Sequence, residues 1–201
     1  MPGLASLLAD IKQCNRCEKQ LPLGVRPVLQ VNRNARILIA GQAPGKKVHE
    51  SGVPFDDASG ERLRQWMGVS SREFYNPALT AILPMGFCYP GSGPSGDLPP
   101  RPECEPAWRR QLLDQLPNIE LTLVLGRYAQ DYHFGKHSGE HPGKRPASLT
   151  ALVKSWQHYW PESIPLPHPS PRNNIWLSKN RWFEKEVLPQ LQARIAAILK
   201  K

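Results

Sequence analysis

Two short peptides hold residues of the right types and spacing to grip a planar polar ring: Gly41-Gln42-Ala43-Pro44-Gly45 and His168-Pro169-Ser170-Pro171-Arg172-Asn173. The first presents nearly bare main chain, so its N–H groups can approach a ligand closely. The second presents an imidazole, which donates or accepts according to its tautomer. Pro167 and Pro169 stiffen the chain on either side of it. A histidine aimed at an oxygen on which negative charge grows stabilises a departing anion. Rigid backbone opposite such a histidine makes a pocket for a small molecule or a nucleobase.

Four cysteines form a second constellation, Cys14-Asn15-Arg16-Cys17, then Cys88 and Cys104. A C-x-x-C turn can chelate one metal centre, and two further thiolates complete a four-sulfur shell. Zinc ribbons generally use two C-x-x-C knuckles, so the unequal second spacing tilts the reading toward an iron-sulfur cluster. Zinc and four unrelated thiols are the alternatives. Structural disulfides do not suit the cytoplasmic chain expected here.

The elements that must position these groups alternate. Apolar spacing predicts a helix over 2–12, a strand over 36–40 and a helix near 59–67 with Ser59 as its cap. An apolar stretch at 78–83 precedes a Pro/Gly-rich loop at 84–102, a helix at 105–116, and a strand at 121–125 ended by Gly126. A helix follows from Arg127, then a strand leading into His168, then a helical region over 180–200 that Pro189 kinks or restarts. Strands alternating with helices argue for an α/β fold with a mostly parallel sheet covered on both faces. The two glycine/proline and histidine peptides then follow strands, where open α/β sheets carry their sites.

Composition narrows the function classes. The chain has 201 residues, enough for one domain with a core of its own. No run of about 18 apolar residues occurs, and the start lacks the order of a secretory signal, so a cytoplasmic protein with no membrane association is expected. Lys and Arg number 26 against 17 acids, a net charge of +9. Such an excess is either a solvated surface or the footprint of a polyanion, nucleic acid first. The 22 prolines cluster in loops beside the cysteines and the histidine, where they read as stiff site walls rather than linkers.

With these residues in place, nearly the whole chain resembles the uracil-DNA glycosylase superfamily. Gly41 to Gly45 is similar to the first motif, GEAPG in the family 4 enzymes, and Val53-Pro54-Phe55 to the G-x-P-F that follows it. Leu125-Gly126-Arg127 matches a further strand-to-helix junction, and His168-Pro169-Ser170 the second motif. The extension Pro171-Arg172-Asn173 is similar to the single-strand-selective monofunctional branch. The resemblance implies one domain over 1–201, a three-layer α/β/α fold on a central, mostly parallel four-stranded sheet, and a monomer acting on single- or double-stranded DNA. It implies a monofunctional glycosylase that hydrolyses the N-glycosidic bond of a flipped-out uracil or other deaminated base. It also raises a [4Fe-4S] cluster on Cys14, Cys17, Cys88 and Cys104 above zinc.

In that frame Gly41, Gln42, Ala43, Phe55 and His168 bind the base, with Phe55 stacking on it and Gln42 and His168 catalytic. Phe55 as a plain core residue is the competing reading. Lys46, Lys47, Ser170, Arg172, Asn173, Lys179 and Arg181 are the DNA-contact candidates, and Ile175 the wedge that fills the gap left by the base. Ile175 and Trp176 could equally begin the core face of the last helical region.

Two departures from family 4 bear on activity. Gln42 stands where those enzymes have Glu, and an amide can orient a water but cannot take its proton. Leu79 to Phe87 holds no Asn of the kind that reads the uracil edge, and Asn76 lies upstream of its place. Asp56 and Asp57 follow the stacking Phe; either they cap a helix in solvent or they face the pocket, where a base with an exocyclic amine would suit them. Competing readings of the chain are an inactive nucleic-acid-binding member of the same fold and an iron-sulfur redox or sensor protein.

Overall fold

The computed structural model describes residues 3–94, 96–135 and 148–200; Pro2, the expected start of the first helix, lies outside them. In chain order the elements are α1 (Leu4–Lys12), β1 (Ile37–Ala40), α2 (Lys46–Ser51), α3 (Ala58–Met67), α4 (Ser71–Phe74) and β2 (Thr80–Ile82). A hairpin of β3 (Ser92–Gly93) and β4 (Gly96–Asp97) follows, then α5 (Arg110–Leu113), β5 (Leu121–Leu125) and α6 (Gly126–Phe134). The described chain ends with α7 (Leu149–Lys154), β6 (Ser163–Leu166), α8 (Asn174–Lys179) and α9 (Leu188–Leu199).

Four strands pair in the order β2-β1-β5-β6, all parallel. A sheet buried on both faces reads as a continuous apolar run, which is why Ile37-Leu38-Ile39-Ala40 and Leu121 to Leu125 are legible as strands without alternation. Successive side chains nonetheless leave on opposite faces. Ile37, Ile39, Leu121, Leu123 and Leu125 pack with Leu63, Trp66 and Met67 of α3 and with Leu188, Leu191, Ile195 and Ile198 of α9. On the other face Leu38 packs with Leu7 and Ile11 of α1 and Leu112 of α5. Ala40 and Val124 continue that face against Ala129 and Phe134 of α6. The architecture is the expected three-layer α/β/α; its four strands are parallel, and Gln30 adds one antiparallel bridge to Ile82 at the β2 edge.

Local chemistry moves several boundaries. The cap of α3 is Asp57, whose carboxylate accepts the Gly60 N–H at 2.9 Å, and not Ser59, which is buried inside the first turn. The last helical region does restart at Pro189: a wide turn at Phe183–Val187 precedes α9, and the proline sits in the first turn of α9, where its missing N–H breaks no bond. The segment expected as a helix over 105–116 opens with a similar wide turn at Glu105–Arg109. Within the 84–102 loop lies the β3–β4 hairpin, which short, glycine-bearing strands conceal from any periodicity reading. Among the described residues no helix is long and apolar enough to cross a membrane.

Candidate functional site

All four parallel strands point their C-terminal ends at one cleft of about 500 Å³. Gly41 to Gly45 enters it after β1, Ile82 and Pro84 from β2, Tyr128 after β5, and His168, Ser170, Arg172 and Asn173 after β6. The two peptides separated by more than a hundred residues of sequence therefore face the same space. This is the position that crossover topology leaves open at the end of an α/β sheet. The loop after β2 is tied to the first peptide by Met85 N–H to Gly41 O at 2.9 Å and Gly86 N–H to Gln42 O at 3.0 Å.

Phe55 is half-buried on the cleft wall over Gly41, whose Cβ, were it present, would stand 3.5 Å from the ring. Its own ring meets Phe74 edge-on at 6.2 Å, so it is neither a plain core residue nor a free surface one. The backbone of Phe55 is in the left-handed region, φ 57°, the one non-glycine residue so placed among those described. Such a conformation costs on the order of 1–3 kcal/mol and persists only where the surroundings enforce it. Here Tyr75 Oη donates to Phe55 O at 3.3 Å, and a Cβ on Gly60 would fall 1.8 Å from that same oxygen. Gly60→Ala must push the Phe55 carbonyl aside. It is expected to lower stability by about 1–3 kcal/mol in chemical denaturation, more than does Ala58→Ser on the same helix.

His168 is oriented by its own loop. Its Nδ1 accepts the Ser170 N–H at 3.2 Å, which requires Nδ1 to be unprotonated and places the proton of the neutral ring on Nε2. Asn173 Nδ2 donates to the His168 carbonyl at 2.7 Å, and Arg62 holds the Pro169 and Ser170 carbonyls at 3.2 and 3.1 Å. Desolvation of the half-buried ring in the cleft pushes the imidazole below its ordinary value; the carboxylates of Asp57 and Asp97 oppose this and Arg172 assists it. The ring is thus a neutral Nε2–H donor. Above about pH 6.5 folded and unfolded chains both hold it neutral; below, the unfolded chain takes up a proton that the folded one refuses. Stability therefore falls as pH drops through 6.5, and His168→Gln is expected to flatten that fall. Nitrogen NMR at pH 6.5 should show Nδ1 of His168 without a proton.

The remaining expected residues divide. Gln42 and Ala43 line the cleft, and among the described residues the N–H groups of Gln42 and Phe55 have no protein acceptor. Asp57 lines it while capping α3, whereas Asp56 is exposed and does not. No side-chain amide comes from Ile82 or Pro84, and Asn76 sits before β2, at the opposite end of the sheet, its Oδ1 accepting the Ala78 N–H at 3.0 Å. Lys46, Lys47, Lys179 and Arg181 are exposed and do not line the cleft. Lys46 and Arg181 stand 3.9 Å from Glu50 and Glu184, as weak surface pairs. Ile175 is 69% exposed, while Trp176 donates to Thr150 Oγ1 at 2.9 Å and packs on the core. Of that pair only Ile175 is available as a wedge.

Several lining residues carry no motif in the sequence. Tyr128 follows the Leu125-Gly126-Arg127 junction, and Asp97 lies on the concealed hairpin. Arg62, outside the lining, braces the histidine loop from α3. Gly96 of the hairpin, at φ 118°, lies against the Arg172 guanidinium; a Cβ there would lie 1.3 Å from Nη1.

Cys14, Cys17, Cys88 and Cys104 line a second, mostly apolar cavity with Ile11, Leu21, Phe87 and Trp108. All four thiols are free and half-buried. Burial, with repulsion from the neighbouring thiolates, pushes Cys88 up to about 11 and Cys104 up to about 12. As they stand, no three His, Cys, Asp or Glu side chains among the described residues are disposed to hold an ion. The donor set nevertheless fits a soft metal centre: four sulfurs around one cavity, with a bound cation relieving the charge that disfavours their thiolates. Gly86 lines this cavity while its N–H holds Gln42, so the two sites share one loop.

The solution structure of a candidate uracil DNA glycosylase from Methanosarcina acetivorans is similar at 18% identity, covering 84% of this chain and 97% of that one, with a TM-score of 0.46. The Uracil DNA glycosylase superfamily matches residues 29–192, a span holding both motif peptides, Phe55 and every strand of the sheet. The chain belongs to the uracil DNA glycosylase superfamily.

Proposed function

We propose that this protein is a monofunctional DNA glycosylase that hydrolyses the N-glycosidic bond of uracil or another deaminated base flipped out of DNA. The observation that carries this reading is His168, a neutral Nε2–H donor fixed by Ser170 in a cleft whose other wall is the Phe55 ring and the free N–H groups of Gln42 and Phe55. A base entering the cleft stacks on Phe55, a contact worth about 1–3 kcal/mol. The free N–H groups take its carbonyl oxygens. As the bond to C1′ lengthens, negative charge gathers on the carbonyl oxygen facing His168, and the Nε2–H donation strengthens as it does so. The sugar meanwhile becomes oxocarbenium-like, which lets a weakly activated water complete the reaction. Gln42 orients that water, and among the described residues no lysine lines the cleft to form a Schiff base.

DNA reaches the cleft across a basic surface. Lys46, Lys47, Lys179 and Arg181 contact phosphates, while Ser170, Arg172 and Asn173 sit at the mouth of the cleft and Ile175 wedges into the stack. The protein acts as a monomer. Cys14, Cys17, Cys88 and Cys104 hold a [4Fe-4S] cluster, with zinc as the alternative; when bound it cross-links the turn after α1 to the loop after β2. That cross-link steadies Gly86 and, through it, Gln42.

The test is incubation of anaerobically purified protein with single-stranded and duplex oligonucleotides bearing uracil, hypoxanthine or xanthine, followed by alkali. Strand breaks at one or more lesions are expected. Salt-dependent DNA binding without a break at any of them would instead favour a nucleic-acid-binding member without activity, a reading motivated by Gln42, whose Nε2 is engaged by Leu98 O at 3.4 Å.

A further inference from the structure

The hairpin brings a carboxylate into the cleft beside the first motif, which itself has none. Gln42 leans on the strand end of β4, its Nε2 donating to the Leu98 carbonyl at 3.4 Å. The preceding residue, Asp97, lines the cleft. Its Oδ1 accepts the Ser92 hydroxyl at 2.9 Å across the β3–β4 pair, and the Ser92 and Tyr89 hydroxyls lie 2.7 Å apart. One oxygen of the carboxylate is therefore held by its own hairpin. The other, Oδ2, lies 3.6 Å from the point where a Cβ of Gly45 would stand, and Asp57 Oδ2 lies 4.0 Å from that point.

Gly45 itself has φ −78° and ψ 173°, a conformation open to any residue. Its backbone does not call for glycine; what the glycine leaves is open space between two carboxylate oxygens, which a side chain would enter. Both carboxylates act electrostatically on His168, so the gap and the leaving-group histidine belong to one site. Asp57 has its other oxygen committed to the Gly60 N–H, and removing it would unwind the start of α3 beneath Phe55. Asp97 carries no such structural duty on the sheet or its helices.

Resting on the glycosylase reading, we propose that Asp97 is the catalytic base that takes the proton of the attacking water, in place of the acid that the first motif lacks. The water oxygen forms its bond to C1′ while the C1′–N bond breaks and its electron pair leaves with the base. The water proton passes to Asp97 Oδ2. The base departs as an anion held by His168 Nε2–H and takes its proton from solvent. Asp57, fixed beside the gap, stabilises the positive charge on the sugar.

The experiment is single-turnover cleavage of the lesion that the wild type processes fastest, with DNA affinity measured in parallel by fluorescence anisotropy. Wild type, Asp97→Asn, Asp97→Ala with and without formate, Ser92→Ala and His168→Leu are compared. A positioned general base contributes about 10²–10⁴-fold, so Asp97→Asn is expected to lose about a hundredfold or more in rate with nearly unchanged affinity. Formate, a diffusible carboxylate, should restore rate to Asp97→Ala in proportion to its concentration. Ser92→Ala keeps the carboxylate but frees it, and should lose about tenfold; it also stands as the informative variant if the Asp97 substitutions fail to fold. Wild-type rates in the Asp97 or Ser92 variants alongside a crippled His168→Leu would overturn the role of Asp97 alone. No released base from the wild type on any lesion would overturn both this role and the glycosylase reading.

Discussion

His168→Leu is expected to slow base excision by about 10²–10³-fold while leaving DNA affinity nearly unchanged. The size follows from where the interaction acts. In the ground state the base carbonyl is a neutral acceptor, and a single Nε2–H contributes little net binding. As the C1′–N bond breaks, that oxygen becomes the principal carrier of a full negative charge in a space walled by protein. The donor is already aimed, because Ser170 N–H fixes the tautomer and Asn173 and Arg62 fix the loop. An interaction stronger in the transition state than in the ground state appears in the rate and not in the affinity. Leucine is close in volume to the imidazole, so the cleft keeps its shape. A loss in affinity equal to the loss in rate would point instead to a collapsed loop.

Cys88→Ala is expected to have the largest effect on stability. If the four sulfurs hold a cluster, its loss removes a cross-link between segments far apart in sequence and leaves an unfilled, mostly apolar cavity lined by three thiols. Metal-centre binding energy counts as folding energy, so a loss of several kcal/mol is expected, and at roughly 2–4 °C per kcal/mol the melting temperature should fall by more than about 10 °C. Visible absorbance, iron and acid-labile sulfide should disappear together. Because Gly86 holds Gln42, cleavage should weaken as well, by less than in His168→Leu. A colourless wild type containing zinc would replace the cluster by a zinc site; a wild type with neither metal, and a Cys88→Ala that melts with it, would remove the cross-link from the account.

The sequence was most informative where a single physical rule dominates. Buried parallel strands need uninterrupted apolar runs, and Ile37 to Ala40 and Leu121 to Leu125 have them. Strand ends in such sheets carry sites, and Gly41 to Gly45 and His168, each following a strand, line the same cleft. Legibility failed where two rules compete or where contacts are long-range. Asp57 and Ser59 are both good caps, and only the Gly60 N–H distinguishes them. Trp176 and Ile175 are neighbours of similar character, and the Thr150 hydroxyl decides which one packs. The hairpin bearing Asp97 is two residues per strand with glycines in both, too short for any period to register, and the approach of Arg172 to Gly96 is a contact between residues far apart in sequence. Phe55 was found by its motif, but its strained backbone and the reason Gly60 must lack a side chain appear only in three dimensions.

A cleft that breaks a glycosidic bond is distinguished from one that merely holds a base by mass-spectrometric detection of free base released from lesion-bearing DNA by the wild type and by His168→Leu. Free base and abasic sites are expected in equal amounts from the wild type, with release slowed at least about a hundredfold by the substitution. DNA that is bound by both proteins and returned with every base still attached would contradict this expectation.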